Sequence, residues 1–246
     1  MNKQISQELI TLAKKKILLA LDVSDIEKAK RLIALLGPHV GGIKIGLETM
    51  TVFGGPTMRN IVSTYKSGCF YDGKFADIPN TTASASEPLA DVAFFNVHAS
   101  SGSASIKAAV EKCGTAKVLV VTVLTSISPQ ECQEIFGDTP EKKVLQFARK
   151  AKKDGAHGVI CSPKELSALN IPEFENFEKV TPGIQPLWMQ KNDQQRVMQP
   201  AEAIKAGATY LVIGRAITGS DDPLAALERI AEEIAGALLK MGVTQS

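Results

Sequence analysis

Short apolar runs recur along this chain, and each is followed by a longer amphipathic stretch. The runs are Ile17–Val23, Gly42–Gly46, Cys69–Lys74, Val92–Val97, Val118–Val123, Gly158–Cys161, Glu178–Thr181 and Tyr210–Ile213. Between and after them, helical patterns cover Ile26–Leu36, Pro56–Lys66, Thr81–Ala90, Ser103–Cys113, Pro140–Lys153, Pro163–Leu169, Pro200–Ala206 and Pro223–Leu239. Most runs are apolar at every position rather than at alternate ones, which is how a strand covered on both faces reads. Eight such strands alternating with eight helices in 246 residues imply an α/β fold, a closed (β/α)8 TIM barrel. An open doubly wound sheet is the runner-up. It calls for a glycine-rich turn after the first strand, and Leu21-Asp22-Val23-Ser24-Asp25 is not one. No Pro/Ser-rich linker interrupts the pattern, so one domain over residues 1–246 is expected. Met1–Lys16 reads as an extra N-terminal helix that covers the barrel bottom.

Composition excludes several classes of function. A net charge of +2 is too balanced for a general nucleic-acid or anionic-membrane surface. The basic run Lys14-Lys15-Lys16 reads as a solvated helix end. Cys69, Cys113, Cys132 and Cys161 show no C-x-x-C pairing, and no secretory signal is evident. Reduced packing cysteines in a cytoplasmic protein are therefore expected. No apolar run is long enough to span a bilayer. His39, His98 and His157 are scattered without metal-ligand spacing, so no metal site is expected.

The active sites of such barrels lie at the C-terminal strand ends. Asp22 stands at the end of strand one and Lys44 on strand two. Strand three runs into D-G-K-F-A-D-I-P-N-T, with Asp72 and Lys74 two residues apart and Asp77 beyond. Residues two apart on a strand share a face, so Asp72 and Lys74 leave it together. Strand four ends near Asn96 and His98, strand five runs into Thr125 and Ser126, and strand seven into Thr181-Pro182-Gly183. Strand eight ends in Gly214-Arg215 ahead of a short helix. Glycine admits close backbone approach to an oxyanion, and arginine offers a planar fork matched to phosphate. Acids and bases thus gather at one mouth, whereas the opposite strand ends look ordinary. The connection Gln185–Arg196 is long for its place and is a candidate lid, with Gln194 able to reach a phosphate oxygen. Packing against the rim is an equal reading for Leu187, Trp188 and Met189.

These motifs resemble those of the orotidine 5′-phosphate decarboxylases. The resemblance rests on L-A-L-D-V at strand one, K-I-G at strand two, D-x-K-x-x-D-I-P-N-T at strand three, V-T-P-G-I at strand seven and V-I-G-R at strand eight. It covers nearly the whole chain, in order. It implies a homodimeric barrel that converts orotidine 5′-monophosphate to uridine 5′-monophosphate and carbon dioxide, the last step of de novo pyrimidine synthesis, without cofactor or metal. Lys74 then matches the proton donor at C6 of the pyrimidine, and Asp72 lies beside the departing carboxylate. Asp77 and Thr81 match residues that reach the neighbouring subunit's site. Asp22 and Lys44 match ribose contacts, and Thr125 or Ser126 the pyrimidine contact. Pro182, Gln185, Gln194, Gly214 and Arg215 fall at the phosphate end. Members often carry arginine after T-P-G-I, where this chain has Gln185, which implies one cationic phosphate ligand fewer.

Two other readings compete. Related barrels acting on sugar phosphates share the D-x-K-x-x-D spacing but need Mg2+, held in part by an acid on strand two. Lys44 occupies that position here, and a protonated lysine cannot ligate a cation. A barrel that binds phosphometabolites without catalysis is the other, and binding alone has no need of Asp72 near an anionic ligand.

Overall fold

The computed structural model describes residues 5–65, 67–189 and 197–243. The chain enters through α1 (Gln7–Lys15) and then alternates. The first half contains β1 (Ile17–Leu21), α2 (Ile26–Leu36), β2 (Gly42–Ile45), α3 (Leu47–Phe53), α4 (Gly55–Thr64), β3 (Cys69–Phe75), α5 (Pro79–Ser86), β4 (Phe94–His98) and α6 (Ser103–Glu111). The second half contains β5 (Lys117–Val121), α7 (Pro129–Phe136), α8 (Pro140–Lys153), β6 (Gly158–Ile160), α9 (Leu166–Leu169), β7 (Glu178–Thr181), α10 (Pro200–Lys205), β8 (Tyr210–Ile213), α11 (Arg215–Thr218) and α12 (Pro223–Lys240). Each strand pairs in parallel with the next, and β8 pairs back onto β1, so the barrel closes as the strand–helix alternation implies.

Period-two alternation sorts the strand residues into an outer and an inner set. Outward residues such as Ile17, Leu19, Leu21, Ile43, Phe95, Val97, Val118 and Val120 pack beneath the helices in the main core. Leu18, Phe70, Phe94, Leu119 and Val180 fill the interior as a separate cluster. The rings of Phe94 and Tyr210 meet edge to face there, 5.2 Å apart. Two residues further along their strands come Ala20, Asp72, Asn96 and Val121, with Lys44 in register with Ala20 and Phe70. The packed middle layer thus forms a dry floor beneath the charged mouth. Among the described residues, no helix is long and apolar enough to cross a membrane.

Several boundaries differ from expectation. The β2–β3 connection holds two helices, not one, because Gly54 at φ +83° turns the chain between α3 and α4. Helical structure after β3 starts at Pro79, and its last turn, Glu87–Leu89, tightens to a 3-10 helix. The amphipathic segment Pro129–Phe136 forms a further helix, capped by Ser128 and Glu131 in a reciprocal box. The Lys14–Lys16 run ends α1, and Lys15 is exposed as expected, but its neighbours are not solvated. Lys14 is buried and pairs with Glu228 of α12. Lys15 donates to the carbonyls of Pro38 and Val40. Burial holds the Lys16 ammonium below the usual lysine range, partly countered by Glu178. The barrel bottom is not ordinary either, since Lys117 and Glu178 form an ion pair of 2.5 Å there.

His157 pins that end. Its Nδ1 accepts the Val118 N–H at 3.0 Å, its own N–H donates to the Val118 carbonyl, and its carbonyl accepts from Glu178. The ring must be unprotonated at Nδ1 to accept. Burial, reinforced by Lys117, lowers its pKa below the usual histidine value. The folded chain therefore binds fewer protons at His157 than the unfolded chain does. Its contribution to stability is complete above the unfolded pKa of about 6.5 and is lost as pH falls below it. Thermal melts between about pH 8 and pH 5.5 should show Tm falling with acid, and His157→Asn, whose amide oxygen also accepts, should flatten the fall. An equal slope in the variant would remove His157 as the cause.

Candidate active site

Lys44, Asp72 and Lys74 form one connected charge array at the barrel mouth. Asp72 Oδ1 accepts from Lys74 Nζ at 2.7 Å, and Oδ2 lies 3.2 Å from Lys44 Nζ. Lys44 also lies 3.4 Å from Asp22 Oδ1. The Asp72 side chain is only 9% exposed and that of Lys44 10%, so these pairs are shielded from solvent screening. Thr49 of α3 donates to the Leu21 carbonyl at 2.6 Å and ties the end of β1, next to Asp22, to the first turn after β2.

Strand alternation alone does not bring Asp72 and Lys74 together. The β3–β4 register jumps between Tyr71↔Phe95 and Phe75↔Val97, four residues on one strand against two on the other. Within this bulge Lys74 takes φ +49°, and it is the one non-glycine residue with positive φ among those described. Such a backbone costs about 1–3 kcal/mol and is held only where its surroundings fix it. Here the Lys74 N–H donates to Asn96 Oδ1 at 2.6 Å, and Asn96 Nδ2 donates to Asp72 Oδ1 at 2.6 Å. Asn96 is fully buried. Its strand position was evident in the sequence, but its part in the array was not. The available signal was an amide at an inward position of the apolar strand F-F-N-V-H.

The array lines a cavity of about 340 Å³, within the usual range for small-molecule sites. Of the residues expected at the site, Asp22, Lys44, Asp72, Lys74, Thr125, Pro182, Gln185, Gly214 and Arg215 line it. Gly183, at φ +77°, makes the turn after β7 that glycine alone adopts freely, and its carbonyl accepts from Met198. The Gln185 N–H donates to the Met198 carbonyl, which closes the base of the long connection. Further out, the Arg229 guanidinium lies 4.8 Å from the Trp188 ring centre. Trp188 and Met189 pack on the core, whereas Leu187 is 79% exposed. Gln194 and the rest of the candidate lid lie outside the described residues. Ser126 is exposed and does not line the cavity, whereas Thr125 does.

Asp77 and Thr81 do not line it either. Both are exposed, Asp77 in the loop after β3 and Thr81 in the first turn of α5. The Asp77 carbonyl is held by the buried Ser105 hydroxyl at 2.6 Å and by Thr82 at 3.2 Å. The loop is thus anchored, and the Asp77 carboxylate accepts from the Ile78 N–H at 2.7 Å. His98, at the end of β4, hydrogen-bonds Ser100. Burial, then the nearby Lys74 charge, lowers its pKa. Among the described residues no group of three or more His, Cys, Asp or Glu side chains is placed to hold a metal.

The model of one protein family, orotidine 5′-phosphate decarboxylase / HUMPS, matches residues 15–230. The orotidine 5′-phosphate decarboxylase of Moorella thermoacetica is 40% identical, with 93% of this chain and 96% of that protein covered. That of Geotalea daltonii is 39% identical over 90% of this chain and 97% of its own length. The chain belongs to the orotidine 5′-phosphate decarboxylase family. The crystal structure of the Lactobacillus acidophilus orotidine 5′-phosphate decarboxylase has the same fold, with a TM-score of 0.77 at 33% identity, covering 89% of this chain and 98% of that one.

In this member of the family, Gly46 completes the K-I-G motif for a steric reason. A Cβ at Gly46 would fall 2.8 Å from Lys44 Nζ and 2.9 Å from Asp22 Oδ1. The backbone there, at φ −92° and ψ 177°, is open to any residue, so a methyl group would act only by displacing the tips of Lys44 and Asp22. Gly46→Ala should therefore keep its Tm within a few degrees of the parent while losing about tenfold or more in kcat/KM, the outcome expected if displacing the Lys44 ammonium disturbs the site. Calorimetry with steady-state kinetics tests this, and unchanged kinetics would mean that the ammonium position is unimportant.

Proposed function

We infer that this chain decarboxylates orotidine 5′-monophosphate to uridine 5′-monophosphate and carbon dioxide, the closing step of de novo pyrimidine synthesis. The observation that carries the reading is Asp72 held between two ammonium groups at the wall of a cavity that also reaches Gly214 and Arg215. Family membership and relatives near 40% identity support the same chemistry.

The bond from C6 to the carboxylate carbon breaks, carbon dioxide leaves, and the electron pair remains on C6. The Lys74 ammonium stands ready for that charge. It stabilises the carbanion without reorganisation and then gives C6 a proton, regaining one from water. Asp72 faces the departing carboxylate and destabilises the bound ground state by like charge. Lys44 offsets that repulsion and, with Asp22, grips the ribose hydroxyls. Thr125 contacts the pyrimidine. Arg215, Gly214, Gln185 and Pro182 receive the phosphate. The pyrimidine offers few handles, so phosphate and ribose binding must supply the energy that holds it against the array.

The Mg2+-dependent relatives are disfavoured by Lys44. Its ammonium lies between Asp22 and Asp72, where a divalent cation would need oxygen ligands. Four buried cysteines with no C-x-x-C spacing support a reducing compartment, the cytoplasm. Exposure of Asp77 and Thr81, together with exposed Leu47, Val52 and Ile78 on the loops and helices after β2 and β3, supports a homodimer in which Asp77 and Thr81 enter the partner's site.

Ultraviolet assays with excess EDTA should show turnover of orotidine 5′-monophosphate. Lys74→Ala should lower kcat by about a thousandfold or more, the scale of lost transition-state charge stabilisation. Arg215→Ala should chiefly raise KM, by about ten- to hundredfold, since a charged hydrogen bond contributes about 1.5–3 kcal/mol. Turnover that requires Mg2+, or that survives Lys74→Ala, would sink the assignment. The dimer has its own test. Lys74→Ala and Asp77→Ala chains, each inactive alone, should regain up to about a quarter of parental activity when mixed and refolded, because each hybrid dimer has one intact site. No recovery, with hybrids present by native mass spectrometry, would place both residues in one chain's site.

A further inference from the structure

Asn96 makes two short hydrogen bonds, and both end on the charge array. The residue alternates with Phe94 along β4, so it points into the barrel one layer above the apolar floor. Its partners fix which end of the amide is which. The Lys74 N–H can only donate, so it meets Oδ1, and the ionised Asp72 carboxylate can only accept, so it meets Nδ2. The bulge in β3 explains the first contact. Where the register jumps from Tyr71 to Phe75, the side-chain oxygen of Asn96 serves as the acceptor for the left-handed Lys74 backbone. The second contact adds a neutral donor to Asp72 Oδ1, the same oxygen that accepts from Lys74 Nζ.

We propose that Asn96 is a positioning residue for the decarboxylation, setting through one amide both the backbone of the proton donor and the rotation of its neighbouring carboxylate. This rests on the function inferred above. A buried amide that merely closed the bulge would need an acceptor for Nδ2 as well, but any acceptor would serve. That the acceptor is Asp72 Oδ1, the oxygen that Lys74 Nζ also uses, is what ties Asn96 to the array. Two effects follow. Without the acceptor, Lys74 has no reason to keep φ +49°. Without the donor, Asp72 is free to turn toward Lys44 at 3.2 Å and away from the proton donor.

Two variants separate these effects. Asn96→Ala removes both bonds. Asn96→Asp keeps the shape and the acceptor but sets a carboxylate against Asp72. The charged and titratable groups that face this pair are Lys44 on β2, Lys74 beside Asp72 on β3, His98 at the end of β4, and Asp22 beyond Lys44. Two carboxylates at hydrogen-bond distance cannot both stay ionised easily, and a shared proton restores an O–H donor. Folded Asn96→Ala should lose about a hundredfold in kcat, the scale of an ångström misplacement, with KM and uridine monophosphate affinity changed less than about threefold. The kcat of Asn96→Asp relative to the parent should rise as pH falls from about 8 to 6. Variants that keep kcat within twofold, or a ratio flat with pH, would overturn the proposal. If the parent chain itself turns over no orotidine monophosphate, the functional reading fails independently. Crystal structures of parent and Asn96→Ala then decide the positioning claim. A Lys74 φ and an Asp72 rotamer unchanged by the substitution would refute it, and movement of both would uphold it.

Discussion

Asp72 is the group on which the mouth of this barrel depends. An ionised carboxylate whose side chain is 9% exposed costs several kcal/mol if left alone, so its burial requires partners from more than one direction. Lys44 comes from β2, Lys74 from the same strand and Asn96 from β4. Parallel strands stand about 4.8 Å apart, which lets three neighbouring strands address one carboxylate. Closure of the barrel is therefore part of the electrostatics as well as the scaffold. If β2 or β4 slipped by one residue, Lys44 or Asn96 would turn outward into the apolar layer beneath the helices.

The strain at Lys74 belongs to the same arrangement. A regular strand would place Asp72 and Lys74 on one face at a fixed two-residue separation, with the ammonium far along its stem. The bulge shortens that path to 2.7 Å. Gly73 makes the bulge possible in this crowded place, since a Cβ there would lie 2.9 Å from the Phe75 ring and 3.1 Å from that of Tyr71. The ion pair and the Asn96 bond then offset the cost of the left-handed backbone. The left-handed backbone at Lys74 and its close pairing with Asp72 arise from one local irregularity.

The barrel itself was legible because its strands are buried on both faces and its helices are amphipathic, two periodicities that composition does not blur. Asp22, Lys44, Asp72, Lys74 and Arg215 were legible because charge at the C-terminal end of an apolar strand has few structural reasons to be there. The remainder depends on three-dimensional facts without a local signature. The two helices after β2 hinge on Gly54, whose positive φ is invisible in G-G-P. The lysines at residues 14–16 read as solvated because their partners, Glu228 and the Pro38 and Val40 carbonyls, lie elsewhere in the chain. Asn96 looked like a strand-end residue because nothing in F-F-N-V-H shows that the neighbouring strand lacks an acceptor at that level. Asp77 belongs to the motif yet lies outside its own cavity, which spacing along one chain cannot express.

Both ends of the barrel interior carry charge, but only one can do chemistry. At the bottom, Lys117 and Glu178 neutralise one another above a ring of tightly packed side chains, and Tyr210 beside them is held protonated by burial. At the mouth, the described residues that line the cavity include three cations, Lys44, Lys74 and Arg215, and two anions, Asp22 and Asp72. The excess among these residues is positive, which suits an anionic ligand. Asp72 is the one group that opposes a second carboxylate brought near Lys74. That opposition is useful only if the ligand is held elsewhere strongly enough to bear it, and Arg215 lies on β8's outgoing turn, apart from the array on β2 and β3. A phosphate fastened there and a carboxylate placed against Asp72 make a division of labour. In the mechanism proposed above, attraction at one end of the cavity supplies the energy that repulsion and a waiting ammonium convert into bond breaking at the other.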